Sequence, residues 1–238
     1  MHSFFLDRIE DNYFEIVNDN FHHIKNVIKL KEDEQIFCIY KNEKYLCSIF
    51  SIRENSCKAK IISKIKSSKK NYKVNLILGI IREQKWDFVL QKATELGVDN
   101  IIPVEFKRNV VKIDIKNEPK KLTRWYTICE SAAKQSKRID IPTINSIVRN
   151  LEELENYKAD INLVCWEEET SEFLKKEIIK EFKSINIIIG PEGGIDDQEI
   201  KKLNNIGYKS IGLGDNIMRA ETAPLFVLSC LSYEKNGG

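Results

Sequence analysis

The chain has 238 residues, 42% hydrophobic and 31% charged, with a formal net charge of +2. That composition excludes a disordered chain and leaves room for one large domain or two modest ones. The longest nearly apolar run, residues 74–81, is too short for a membrane span, and MHSFFLDRIED lacks the pattern of a signal peptide. Six scattered cysteines without a CxxC pair, and three histidines confined to the N-terminal region, argue against a metal site. Reduced thiols in a chain of this size predict a cytoplasmic protein. The charge is uneven: residues 1–150 carry 28 Lys and Arg against 19 Asp and Glu, and the remainder 10 against 17. A basic first part suits a polyanionic partner, and a solvated lysine-rich surface accounts for it equally well.

In chain order, residues 4–7, 13–17, 35–40, 44–50 and 58–65 read as short strands with turn-like KNEK and RENS between the later ones. Several short strands with tight turns predict a small β-barrel, a plausible RNA-docking module. Within it, HHIKNVIKLK places Ile24, Val27 and Ile28 at helical spacing, with Lys25 and Lys29 on the polar side. SSKKN at 67–71 reads as the boundary, giving domains 1–70 and 71–238. Beyond it strands and helices alternate: strand 74–81, helix 82–97 closed by Gly97, strand 100–104, helix 120–137, and strands near Ile144, at 162–165 and at 185–189. Alternation of this kind predicts an α/β domain with a largely parallel sheet. The acidic run 167–169 reads as a solvated loop, although it follows a strand end that could border a ligand.

The densest signal is near the C-terminus. INIIIGPEGGIDDQEI ends an apolar strand in Gly190, Pro191, Glu192, Gly193 and Gly194, and Asp196 precedes Glu199 at capping-box spacing. IGLGDNIMRAETAP repeats the pattern, with Gly212 and Gly214 ending a strand and Thr222 capping a last helix. Either glycine turn alone is weak evidence, because it lacks phosphate-loop and dinucleotide spacing. Two such turns at strand C-termini are what a ligand crevice in an α/β sheet requires.

These two motifs, with KWDFVLQKATELGV, SAAKQSKR and the HHIKNVIKLK segment, resemble in order the RsmE family of the SPOUT superfamily. The resemblance covers essentially the whole chain and implies a methyltransferase that uses S-adenosylmethionine to make N3-methyluridine in 16S ribosomal RNA. It further implies a PUA-like N-terminal barrel, a C-terminal trefoil knot, which general topology rules would not suggest, and a homodimer. Carried over by motif, Gly190, Pro191, Glu192, Gly193 and Gly194 form one wall of the cofactor site. Leu213, Gly214, Ile217 and Met218 form the other, with Thr222 and Ala223 at the start of the last helix. The glycines are expected to let backbone groups reach the cofactor. Arg219 is the candidate for stabilising the uracil anion or orienting the base, and Glu221 a weaker candidate base, with a helix-start carboxylate as the equal alternative. Gln135 and Arg138 are expected at RNA or across a dimer, with Lys25 and Lys29 on the barrel. The chain departs from the family at His2, Ser3, Lys29, Lys134 and Lys137, where positive charge is mostly kept but arginine geometry is lost. A fold kept for RNA binding without catalysis, and a methyltransferase acting on transfer RNA, are the competing readings.

Overall fold

The computed structural model describes residues 1–66 and 70–236, so three of the five SSKKN residues lie outside the described part. The chain divides into two compact units, one of Met1–Lys69 with Ala133–Asp140, the other of Lys70–Ala132 with Ile141–Gly238.

In the first unit, β1 (Ser3–Phe5), β2 (Tyr13–Val17), β3 (Gln35–Tyr40), β4 (Glu43–Ile52) and β5 (Ser56–Ile65) form a sheet of order β1-β3-β4-β5-β2. Only the β1–β3 pair is parallel. Two register shifts along β4–β5, at Leu46/Cys47 and Ile49/Ser51, bend these long strands. Inward residues of all five strands, among them Phe4, Phe14, Ile36, Cys47 and Cys57, converge on one buried cluster. Among the described residues no ladder joins the two edge strands. Instead the Asn20 amide, just after β2, donates to the Phe5 carbonyl of β1 at 3.0 Å. The helix expected at HHIKNVIKLK starts earlier, as α1 (Asn18–His22), and passes into a π turn over His23–Val27. It ends before Lys29, whose φ is +52°. Phe21 and Ile24 fill the core from it.

In the second unit, β6 (Lys73–Gly79), β7 (Asn100–Val104), β8 (Thr143–Ile144), β9 (Ile161–Cys165), β10 (Ser184–Ile189) and β11 (Lys209–Ile211) form a fully parallel sheet. Its order is β11-β9-β10-β6-β7-β8. Period-two alternation sends side chains to opposite faces. Ile185, Ile187 and Ile189 pack with α2 (Glu83–Glu95), α3 (Glu118–Gln135) and α6 (Ala223–Asn236), while Ile188 meets α5 (Asp197–Asn205) and a 3₁₀ segment over Leu151–Tyr157. The expected capping box is present, with Asp196 and Glu199 each accepting the other's backbone N–H at the start of α5. Several boundaries differ from expectation, and three have an evident cause. The first strand stops at Gly79, where an added Cβ would stand 2.6 Å from the Pro191 nitrogen. Helix α3 begins at Glu118, because Asp114 caps a 3₁₀ turn that runs into it. It stops at Gln135, since Lys137 takes φ +59°. A short α4 (Leu174–Ile178) has no counterpart in the sequence reading.

One polar row crosses this apolar sheet. Asn100, Asn75, Asn186 and Asn162 stand in register on β7, β6, β10 and β9. Their amides join at 2.7, 2.7 and 2.8 Å. Asn186 is fully buried and also donates to the Tyr157 carbonyl and the Tyr208 hydroxyl. Burial pushes that hydroxyl up to about 12, so it stays protonated. Asn186→Ala would strand several of these groups and should cost about 2–4 kcal/mol in urea unfolding; a loss below 0.5 kcal/mol would show the row contributes little.

Candidate active site

The parallel strands β9, β10 and β11 end together, and a cavity of about 540 Å³ lies beyond their C-terminal ends. This is where an open parallel sheet places a ligand, and the volume is that of a small-molecule site. Cys165 closes β9, Ile189 closes β10, and the backbone of Trp166 donates to Ile211 at the end of β11. Of the residues expected around a cofactor, Gly190, Pro191, Glu192, Gly194, Leu213, Gly214, Ile217, Met218 and Ala223 line this cavity, and so does Arg219. Gly193, Glu221 and Thr222 do not line it. Thr222 directly precedes α6 and its carbonyl accepts the Phe226 N–H.

The reason for the glycines is partly different from the expected one. An added Cβ at Gly190 would meet Ile195, at Gly193 the Arg108 carbonyl, and at Gly212 the Glu169 carbonyl. These positions are small because the protein's own loops pass there. Gly214 is different: its φ is +124° and nothing stands within 4 Å of where a Cβ would be. Its requirement is conformational. Leu213 and Met218 pack partly against the core, whereas Ile217 is 82% exposed.

The acidic segment 167–169 is the expected loop, with Glu167 and Glu168 exposed, and it does border the ligand crevice: Glu167 and Glu169 line the cavity. The Glu169 carboxylate is turned onto its own loop, where hydrogen bonds from Ser171 hold it below the usual carboxylate range. Glu167, Glu192 and Asp215 remain, against Arg219 as the cation. Glu192 accepts the backbone N–H of Arg82 at 3.1 Å through one oxygen, and its other oxygen is buried without a partner among the described residues. The Cys165 thiol is pushed up to about 12 by burial and is not a nucleophile at neutral pH. A cavity with apolar walls, an excess of carboxylates and an orphan acceptor fits a cationic, hydrogen-bond-donating ligand with an aromatic part.

Arg219 is exposed, and its guanidinium makes no hydrogen bond or ion pair among the described residues. Its carbonyl accepts the N–H groups of Thr222 and Ala223, which fixes the turn into α6 and leaves the side chain free to meet a substrate. Glu221 is committed elsewhere: Lys85 on α2 donates to it at 3.0 Å. Burial raises its carboxyl, but Lys85 outweighs this and leaves it below the usual carboxylate range. A depressed carboxylate contributes stability above its unfolded pKa, about 4.3, and loses it as pH falls through the folded value. Acidification from pH 7 to 3 should therefore cost the wild type more than Lys85→Met. Urea unfolding across that range checks this, and parallel curves would count against it.

Lys25, Lys29, Gln135 and Arg138 are far apart in sequence, yet all belong to the first compact unit. Lys29 and Gln135 are exposed. Lys25 donates to the Glu54 carbonyl at 3.1 Å and lies over the Phe21 ring. Arg138 is engaged by Asp140, with both contacts at 3.2 Å, and is largely buried. Lys92 and Glu95, within KWDFVLQKATELGV, form a helix salt bridge at 2.8 Å, the pairing expected of opposite charges three apart. Residues the sequence did not single out join the same unit. Lys44 is lowered by burial and by Lys137, and His23 by burial and then by Lys134, His2 and His22. The positive charge that Lys44 and Lys137 bring together here suits a phosphate backbone, while His23 is kept neutral. Like-charge proximity is a property of the folded unit and leaves no signal in spacing.

A family described as RNA methyltransferase domain matches residues 68–232, and one described as RNA methyltransferase PUA domain matches residues 17–62. The chain is 38% identical to the ribosomal RNA small subunit methyltransferase E of Mesomycoplasma hyopneumoniae, over 96% of this chain and 98% of that protein. It is 32% identical to the protein of the same name from Bacillus subtilis, over 93% and 90%. The crystal structure of the Neisseria gonorrhoeae ribosomal RNA small subunit methyltransferase E bound to S-adenosyl methionine superposes with a TM-score of 0.88 at 26% identity. That superposition covers 97% of this chain and 96% of that one.

Proposed function

Because this chain belongs to the ribosomal RNA small subunit methyltransferase E family, we propose that it methylates N3 of a uridine in 16S ribosomal RNA, using S-adenosylmethionine and with Arg219 as the group that meets the uracil. The observation that carries the site assignment is the cavity beyond β9, β10 and β11. It combines apolar walls, three available carboxylates and one unpaired guanidinium. S-adenosylmethionine bears a sulfonium, an ammonium and an adenine, and this lining suits all three. When bound, it supplies an electrophilic methyl carbon.

The residues then have distinct tasks. Leu213, Ile217 and Met218 offer the adenine an apolar face, and the turns 190–194 and 212–214 offer backbone groups. The orphan oxygen of Glu192 accepts from a cofactor N–H or O–H, which removes the cost of leaving it unpaired. Uridine N3 is a poor nucleophile until its proton leaves. Arg219 lowers that barrier by stabilising the anion that forms. Glu221, held by Lys85, positions the turn that carries Arg219 and does not take the proton. Lys25, Lys29, Gln135 and Arg138, with Lys44 and Lys137, dock the RNA. The described cysteines are all free thiols, and among the described residues no helix is long and apolar enough to cross a membrane; with rRNA as substrate, the work is cytoplasmic. Among the described residues no group of three or more His, Cys, Asp and Glu is placed to hold a metal.

The same reading includes a homodimer. A largely apolar groove of about 560 Å³ between α4 and α6 shares Phe173, Gly212, Leu213 and Gly214 with the cofactor cavity, and Phe226 and Tyr233 are exposed along it. A second copy seated there would bury this apolar face and complete the cavity's outer wall. A monomer mass in sedimentation equilibrium at micromolar protein would remove the dimer. The activity is tested by adding the protein and labelled S-adenosylmethionine to small subunits lacking the modification, then identifying nucleosides by mass spectrometry. N3-methyluridine at one site is expected. Methylation of transfer RNA alone, or cofactor binding with no methylated product, would sink the assignment.

A further inference from the structure

A second cavity, of about 660 Å³, opens in the same unit between the end of β6, the first turn of α2 and α3. Its floor is apolar and buried: Ile80, Ile81, Ile113, Trp86 and Trp125 line it, with the two indole rings 4.9 Å apart and tilted by 45°. Trp86 is 1% exposed, and its indole N–H has no acceptor among the described residues. A buried donor without a partner is costly unless a ligand or ordered water reaches it.

Five cations line this cavity. Lys121 and Arg124 are consumed by Glu83 and Asp87. Arg82, Lys112 and Lys120 are exposed, and their side chains have no hydrogen bond or ion pair among the described residues. The carboxylates present are neutralised or engaged: Glu83 is held low by Lys121, and Asp114 caps the 3₁₀ turn. Helix α2 has no side-chain cap, so its N-terminal N–H groups add to the positive field at the rim. An apolar cavity with a buried, unpaired N–H at its base, under a rim of free cations, is chemistry that receives a nucleotide, base inward and phosphates outward.

Two contacts separate this cavity from the cofactor cavity. Gly79 abuts Pro191, and the Arg82 N–H is bonded to Glu192 at 3.1 Å. Pro191 and Glu192 line the first cavity, Ile80 and Arg82 the second. A base seated in the second cavity is therefore beside the methyl donor's site but walled from it. Resting on the rRNA reading above, we infer that the second cavity holds a nucleotide flanking the target uridine, its base in the apolar cavity over the buried indoles and its phosphates at Lys112, Lys120 and Arg82. The subsite would anchor the strand while the target base leaves its stack for the donor.

The test uses the full chain with small subunits and with rRNA fragments carrying 4-thiouridine beside the target. Lys112→Ala/Lys120→Ala, an exposed pair outside the cofactor cavity, should raise the KM for RNA about tenfold. It should flatten the salt dependence of RNA binding by roughly one to one and a half logarithmic units per unit, with S-adenosylmethionine affinity unchanged. Photocross-links from 4-thiouridine should map to residues 80–86 and 111–125. An unchanged KM and salt slope, or cross-links found only elsewhere, would overturn the proposal. Cross-linking reads binding and not turnover, so a wild type that cross-links at these residues yet makes no N3-methyluridine would sink the functional reading and spare this one.

Discussion

Arg219→Ala should lower the rate of N3-methyluridine formation by about 10²–10³ at saturating cofactor, the usual cost of removing one donor from a site of developing negative charge. Affinity for S-adenosylmethionine should stay within a few-fold, because the backbone of Arg219, which the substitution keeps, fixes the turn into α6. The basis is that its guanidinium alone among the cavity's side chains is cationic, and it is unpaired among the described residues. Two further readouts separate a chemical role from a structural one. Raising the pH deprotonates the uracil without help, so the deficit of the variant should shrink as pH rises. Arg219→Lys should recover part of the rate, since it keeps the charge and loses the planar fork. Single-turnover kinetics with calorimetry of cofactor binding would read all three. A variant that binds cofactor and turns over at the wild-type rate would remove Arg219 from the mechanism.

Gly212→Ala should weaken S-adenosylmethionine binding about 30-fold, equivalent to about 2 kcal/mol of forced displacement in a packed site. Gly212 donates to the Glu172 carbonyl at 2.7 Å and bridges Phe173, while an added methyl would collide with the Glu169 carbonyl. The segment 165–173 and the turn 212–214 cannot both keep their places, and both line the cavity. Calorimetry of the purified variant is the measurement. Wild-type affinity would mean that the acidic loop yields without cost. Gly97→Ala is a useful contrast: its φ is +88° and no atom lies within 4 Å of the new Cβ. It should cost stability through backbone strain and leave cofactor affinity alone.

How far the sequence carried the reading depends on the range of the interaction behind each feature. β2, β3 and β7 lie within their expected bounds, and the capping box of α5 is where Asp196 and Glu199 predicted it. Those signals are local: side-chain alternation, β-branching, and a reciprocal bond within one turn. Helix α3 was displaced by two residues at each end because Asp114 and the φ of Lys137, both outside the apolar stripe, set its limits. The row Asn100–Asn75–Asn186–Asn162 could not be read from any one strand, where each asparagine is only an interruption.

The site divides in the same way. Both glycine motifs were legible, because a strand ending in glycine before a capped helix is a pattern within twenty residues. That Gly212 yields to Glu169, that Glu192 keeps a bare oxygen, and that Glu221 is spent on Lys85 were settled only by chain segments meeting from far apart. The second cavity is of this kind as well, for Trp86 and Trp125 are 39 positions apart and read singly as core residues. By itself the sequence determined most strands, helices and turns, the family, and the two glycine loops proposed to hold the cofactor, since each is written in neighbours along the chain. Only the tertiary structure decided which charged and polar groups are already paired and which are left for a ligand, because pairing depends on distances that covalent spacing does not set.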